Sequence, residues 1–80
     1  MIKIPNWAVV PVMTEAIIHA NKLVELNNFQ KLTNKQQQQL ASLVVKRVDK
    51  IKSKKQLNNL INSTTFDQIV YQELATVYTA

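Results

Sequence analysis

Apolar residues return at helical spacing along most of this chain. From residue 12 to residue 26 they recur every three or four positions and fill close to half of a helical wheel. The same period continues through residues 34–53, 54–61 and 66–78. A surface helix needs an apolar stripe of only about 100°. We therefore expect the first helix to be central in the fold or to carry a dimer face.

Signals for helix ends support this division. Thr33 followed three residues later by Gln36 is the pattern of a capping box and predicts the start of the second helix. The run NSTT at residues 62–65 predicts a break, with Thr64 or Thr65 capping the last helix.

The N-terminal residues 1–11 contain two prolines and predict an extended, irregular arm. The predicted fold is all-α: a compact bundle of three to four short helices with that arm. At 80 residues the chain is short enough for one helical domain over residues 1–80.

Two charged residues occupy apolar positions of their helices. Arg47 falls inside the apolar arc of the second helix, and Glu73 falls inside that of the last helix. An unpaired charge at such a position costs several kcal/mol. We therefore predict that Arg47 and Glu73 form an ion pair between these helices. The alternative is that each side chain extends to solvent along the edge of its own face.

The net charge of the chain lies in one stretch. Residues 46–55, KRVDKIKSKK, have six basic residues and one acid, and we call them the basic segment. The chain as a whole has a net charge of +5, because four lysines elsewhere are balanced by four acids. Such a concentration of positive charge is typical of a surface that binds a polyanion.

Two explanations of the basic segment remain open. In a helix through residue 53, Lys46, Lys50 and Lys54 would form one stripe, which suits a phosphate backbone. Lys52 and Lys55 would lie elsewhere on the helix. Alternatively, cations at the end of a helix complement its dipole, and the lysines are only solvated. Two or three cations would suffice for that purpose, and the segment has more.

Sequence-specific contacts to bases would have to come mainly from amides. Arginine, asparagine and glutamine are the usual readers of base edges, and the only arginine is assigned to the ion pair. The third and fourth helices offer exposed amides at Gln56, Asn58, Asn59, Gln68 and Gln72. Tyr71 and Tyr78 have the chemistry to stack on bases, although packing at the core edge is the commoner role.

Catalytic chemistry has little support in the sequence. His19 is the only histidine, there is no cysteine, and there is no glycine for a phosphate-binding loop. Structural zinc sites usually need three or four nitrogen or sulfur ligands. We expect no enzyme activity, no metal and no cofactor, with His19 lying at the edge of the core.

Three functions remain after these exclusions. The first is a small accessory or regulatory protein that binds nucleic acid through Lys46, Lys50, Lys52, Lys54 and Lys55. The second is a protein-binding module, such as an immunity- or inhibitor-like bundle, that uses an apolar helix face. The third is a protein of the membrane surface, without a transmembrane segment. So short a chain without disulfides is marginally stable, so we predict a homodimer, in the cytoplasm.

Overall fold

Four α-helices make up the fold, and their order along the chain gives the whole topology. They are α1 (Asn6–Leu26), α2 (Asn34–Arg47), α3 (Lys54–Ile61) and α4 (Thr64–Thr79). The structure is a computed structural model that describes residues 2–79, and no strand occurs within them. Met1 and Ala80, the ends of the predicted domain, lie outside the described residues. The all-α prediction is confirmed.

The first helix begins earlier than its sequence pattern predicts. It starts at Asn6 and includes Pro11, so the extended arm expected over residues 1–11 is limited to residues 2–5. Pro11 has no N–H to donate to the carbonyl of residue 7, which weakens the helix there. Tertiary packing outweighs this cost, because the longer helix buries Ala8 completely in line with Val12.

The buried face of α1 consists of small side chains at a spacing of four residues. They are Ala8, Val12, Ala16, Ala20 and Val24. Small residues let neighbouring helices approach closely, and α1 contacts all three of the others. The expectation of a central first helix is therefore met.

The second helix ends earlier than its pattern predicts. Thr33 and Gln36 form the predicted capping box at its start. At its end, Val48 is already extended, with φ −84° and ψ 146°, so residues 48–53 are not helical. Val48 and Ile51 are nevertheless buried. Their spacing fitted a helix, but the extended chain buries the same two side chains while it turns towards α3.

The last two helices are joined by a tight connection. Ser63 Oγ accepts a hydrogen bond from the Phe66 N–H at 3.2 Å and donates one to the Leu60 carbonyl at 2.6 Å. Ser63 therefore caps α4, and the predicted caps Thr64 and Thr65 lie inside the helix. Through these two hydrogen bonds, Ser63 serves the end of α3 and the start of α4 at once.

The core forms where the apolar face of α4, predicted from the spacing of its apolar residues, packs against α1 and α2. Phe66, Val70, Leu74 and Val77 are all buried. The radius of gyration is 12.0 Å, close to the value of about 12 Å expected for a compact chain of this length. No polar or charged residue among residues 2–79 is fully buried, so the charged groups discussed below lie at the surface or at its edge.

Candidate nucleic-acid interface

The basic segment spans three kinds of structure. Lys46 and Arg47 belong to the last turn of α2, residues 48–53 form a connection without helix, and Lys54 begins α3. Because α2 ends at Arg47, Lys46, Lys50 and Lys54 do not share a helix. The lysine stripe predicted at a spacing of four is therefore wrong, and the segment presents its charge from a loop between two helix ends.

Arg47 is occupied by contacts to α4. Its Nη1 donates to Glu73 Oε1 at 3.1 Å, and its Nη2 donates to Gln72 Oε1 at 2.7 Å. The Glu73 side chain is only 12% exposed, whereas that of Arg47 is 40% exposed. The structure thus has the ion pair that the two misplaced charges predict. It also occupies the amide oxygen of Gln72, one of the amides predicted to read bases.

The five lysines of the segment are differently placed. Every one of them is exposed. Within residues 2–79 the ion pairs involve only His19 and Arg47 as cations, so these lysines have no acidic partner there. Asp49 is the only acid inside the segment and is also exposed. With Arg47 neutralised by Glu73, the segment keeps five positive charges against one negative charge. They are Lys46, Lys50, Lys52, Lys54 and Lys55.

Helix dipoles account for one of these lysines but not for two others. Lys46 lies in the last turn of α2, where the negative end of the dipole favours a cation. Lys54 and Lys55 lie in the first turn of α3, at the positive end, and that turn has no acidic residue. Cations at this position are destabilising. Complementing a helix dipole therefore does not explain Lys54 and Lys55.

Lys50 has an unusual backbone. Its φ is 62°, in the left-handed region, and the only other non-glycine residue of residues 2–79 with positive φ is Asn28. Asparagine tolerates this region, whereas for other residues it costs roughly 1–2 kcal/mol. In a chain without glycine, Lys50 makes the turn that lets both Val48 and Ile51 reach the core.

A shallow groove of about 380 Å³ runs beside the basic segment, and we call it the polar groove. It lies between residues 49–51 of the connection, α3 and the start of α4. Its lining consists of Asp49, Lys50, Ile51, Gln56, Asn59, Leu60, Ser63 and Thr65. Asp49, Ser63 and Thr65 were not predicted for this site, because Asp49 and the two hydroxyl residues belong to separate parts of the chain that only the fold brings together.

The amides predicted to read bases have different surroundings. Gln56 Oε1 accepts the Lys52 N–H at 2.5 Å, which leaves the amide nitrogen of Gln56 as its free donor. Asn59 lines the polar groove, whereas Asn58 lines a second groove between α1 and α3. Of the candidate amides, Gln56 and Asn59 are therefore the two that lie next to Lys50.

His19 joins two helices. Its Nδ1 lies 2.6 Å from Asp67 Oδ1, and its Nε2 lies 3.9 Å from Glu15 Oε1. The ring also meets Phe66 edge to face, with centroids 5.0 Å apart. These contacts fix α1 against the first turn of α4, which is the structural role expected at the core edge. No cluster of three or more metal-ligating side chains occurs in residues 2–79.

Both tyrosines pack against Phe29 in the connection between α1 and α2. The ring centroids of Phe29 lie 6.2 Å from Tyr71 and 5.9 Å from Tyr78. The Tyr78 hydroxyl donates to the Gln30 carbonyl, and burial raises the pKa of Tyr78 above its ordinary value of 10.0. Tyr78 therefore serves to fasten the connection to α4.

Comparisons with known proteins add no family or relative. No protein-family model, no curated protein and no solved structure matches this chain. No helix of the described residues is long and apolar enough to cross a membrane. Function therefore has to be argued from the surface itself.

Proposed function

We propose that this protein binds nucleic acid in an accessory or regulatory role and that the basic segment contacts the phosphate backbone. The observation that carries the proposal is that Lys54 and Lys55 lie in the first turn of α3 and that this turn contains no acidic residue. The local structure loses stability from them. A bound polyanion would turn this unfavourable charge into a favourable contact.

The arrangement of the segment supports the proposal. Its five lysines are exposed and lack acidic partners within residues 2–79. Each phosphate that a lysine neutralises releases condensed counterions, which drives binding and makes it depend on salt. Because the lysines come from two helix ends and a loop, we expect them to contact several neighbouring phosphates without forming a straight row along one helix.

A salt series with two matched triple variants tests this proposal. Lys52, Lys54 and Lys55 are changed to Gln in one protein, and Lys22, Lys31 and Lys35 are changed to Gln in the other. Both changes lower the net charge from +5 to +2. Binding of a labelled oligonucleotide of about 20 nucleotides, single-stranded and as a duplex, is followed by fluorescence anisotropy.

We expect the two variants to differ. Loss of three phosphate contacts should reduce the slope of log K against log[salt] by about 2 to 3, and only in the variant of the basic segment. Equal losses in both variants would mean that binding follows the net charge alone. Absence of binding by the wild-type protein at low salt would refute the proposal.

A protein-binding module is the second candidate, and one observation favours it. Trp7, Val10 and Ile18 are 44%, 68% and 51% exposed, and their spacing puts them on one side of α1, which we call the outer face of α1. Exposed apolar patches are typical of protein contacts. A homodimer would use the same face. Sedimentation of wild type and Trp7→Ala tests this candidate, since a dimer that depends on Trp7 should dissociate in the variant.

A further inference from the structure

The lining of the polar groove is partly apolar and partly polar. Ile51 is buried and Leu60 is partly buried, and together they give the groove an apolar part. Polar side chains of Asp49, Gln56 and Asn59 line it as well. A flat molecule with an apolar face and hydrogen-bonding edges would suit such a groove.

Charge argues against a phosphate inside the groove itself. Asp49 is exposed and lines the groove together with Lys50. A carboxylate there repels an anion but accepts hydrogen bonds from N–H groups. A neutral ligand that both donates and accepts hydrogen bonds is therefore favoured over a second phosphate. Within the groove the charges of Asp49 and Lys50 offset each other. Phosphates would lie on the lysines that do not line it, Lys46, Lys52, Lys54 and Lys55.

Free hydrogen-bonding capacity is available at the groove. The side chains of Asn59 and Thr65 form no hydrogen bond within residues 2–79, and the Gln56 amide nitrogen forms none either. Asn59 offers both a donor and an acceptor, and Asp49 offers acceptors only. These groups match the edge of a nucleobase, on which donors and acceptors alternate.

We propose that the polar groove binds one unpaired nucleobase of a single-stranded nucleic acid whose phosphates lie on the basic segment. The proposal rests on the function proposed above and specifies its substrate class. Proteins recognise single strands by packing a base face on apolar or aromatic groups and by hydrogen bonds to the base edge. A base held in a duplex stack could not enter the groove without leaving its partner.

An oligonucleotide that lacks bases tests this proposal. Anisotropy is measured for a labelled single strand of about 12 nucleotides, for the same length of abasic backbone, and for the corresponding duplex. The normal and abasic strands carry the same number of phosphates, so a preference for the normal strand over the abasic strand reports the bases, whereas the duplex differs in charge density as well. We expect the normal strand to bind roughly tenfold more tightly than the abasic strand, which corresponds to one well-placed base contact.

Two neighbouring amides of α3 provide the matched variants. Asn59→Leu removes the amide in the polar groove, and Asn58→Leu makes the same change in the groove between α1 and α3. Both residues are exposed, and leucine favours helix more than asparagine does, so both variants should fold. Thermal unfolding of each variant verifies this. We expect Asn59→Leu to abolish the preference for the normal strand and Asn58→Leu to retain it.

The outcomes separate the two proposals. If the normal and abasic strands bind equally, or if the two variants behave alike, the groove does not bind a base. The proposed function then still stands on its salt dependence. If neither the single strands nor the duplex bind to the wild-type protein, the proposed function itself is refuted, and the groove proposal with it. Binding of the duplex alone would overturn only the groove proposal.

Discussion

The guanidinium of Arg47, at the end of α2, donates to the carboxylate of Glu73, in the middle of α4, at 3.1 Å. This pair joins two helices at the point where the chain leaves α2 for the basic segment. It also separates the only arginine of the chain from the lysines that follow it. Arg47 therefore contributes to the fold, whereas the neighbouring lysines are available to a ligand.

Replacement of Arg47 by methionine should lower stability without lowering affinity for nucleic acid. Methionine keeps the apolar stem but leaves the largely buried Glu73 carboxylate without its cation. Because Arg47 is partly exposed, solvent screening reduces the loss to about 1 kcal/mol. Urea unfolding measures it. The double variant Arg47→Met with Glu73→Gln should recover part of the loss. A fall in affinity equal to that of the lysine variants would contradict this separation of roles.

Replacement of Lys54 and Lys55 by glutamine should raise stability while lowering affinity. The change removes two cations from the positive end of α3, and each such charge is worth roughly 0.3–1 kcal/mol at low salt. Lys46→Gln is the control, because Lys46 lies at the negative end of α2 and its loss should lower stability slightly. Urea unfolding at low and high salt measures both effects. Changes of the same sign at both helix ends would contradict the dipole explanation.

Replacement of Tyr78 by phenylalanine should change how stability depends on pH in alkaline solution. Burial raises the pKa of Tyr78 above 10.0 in the folded protein, so the unfolded chain releases the proton first as pH rises. The contribution of Tyr78 is therefore complete below about pH 10 and is lost as pH rises through the folded-state pKa. Without this hydroxyl, the decline of stability above pH 10 should be less steep.

The same substitution should also cost about 1 kcal/mol near neutral pH, because the hydrogen bond to the Gln30 carbonyl is lost. Tyr71→Phe is the control, since the Tyr71 hydroxyl forms no hydrogen bond within residues 2–79. Identical alkaline profiles for wild type and Tyr78→Phe would contradict the raised pKa.

Local signals located some of the helix ends, and tertiary packing overrode them at others. Thr33 with Gln36 marks the start of α2 in sequence and structure alike. The two prolines predicted an extended arm through residue 11, but Pro11 lies within α1, because burial of Ala8 outweighs one missing hydrogen bond.

The candidate site could be predicted only as a set of charges. The excess of lysine in residues 46–55 is a property of composition, and it is present whatever the backbone does. The geometry of the basic segment was predicted wrongly. Val48 and Ile51 have the spacing of a helix, but both are buried by a connection that is not helical. Hydrophobic periodicity indicates which side chains are buried, but it does not show whether the backbone that carries them is helical.

The sequence by itself determined the all-α class, the buried face of α4 and the position of the excess charge. The first two depend on hydrophobic period and the third on composition, and both are local properties of the chain. For Arg47 and Glu73 the sequence predicted a pair but left open that each side chain extends to solvent, and the tertiary structure has the pair. Only the tertiary structure decided where α2 ends, that Lys50 turns through a left-handed conformation, and that Asp49, Asn59 and Thr65 meet at one groove. These features depend on how separate elements pack, because the contacts that outweigh local preference come from distant parts of the chain.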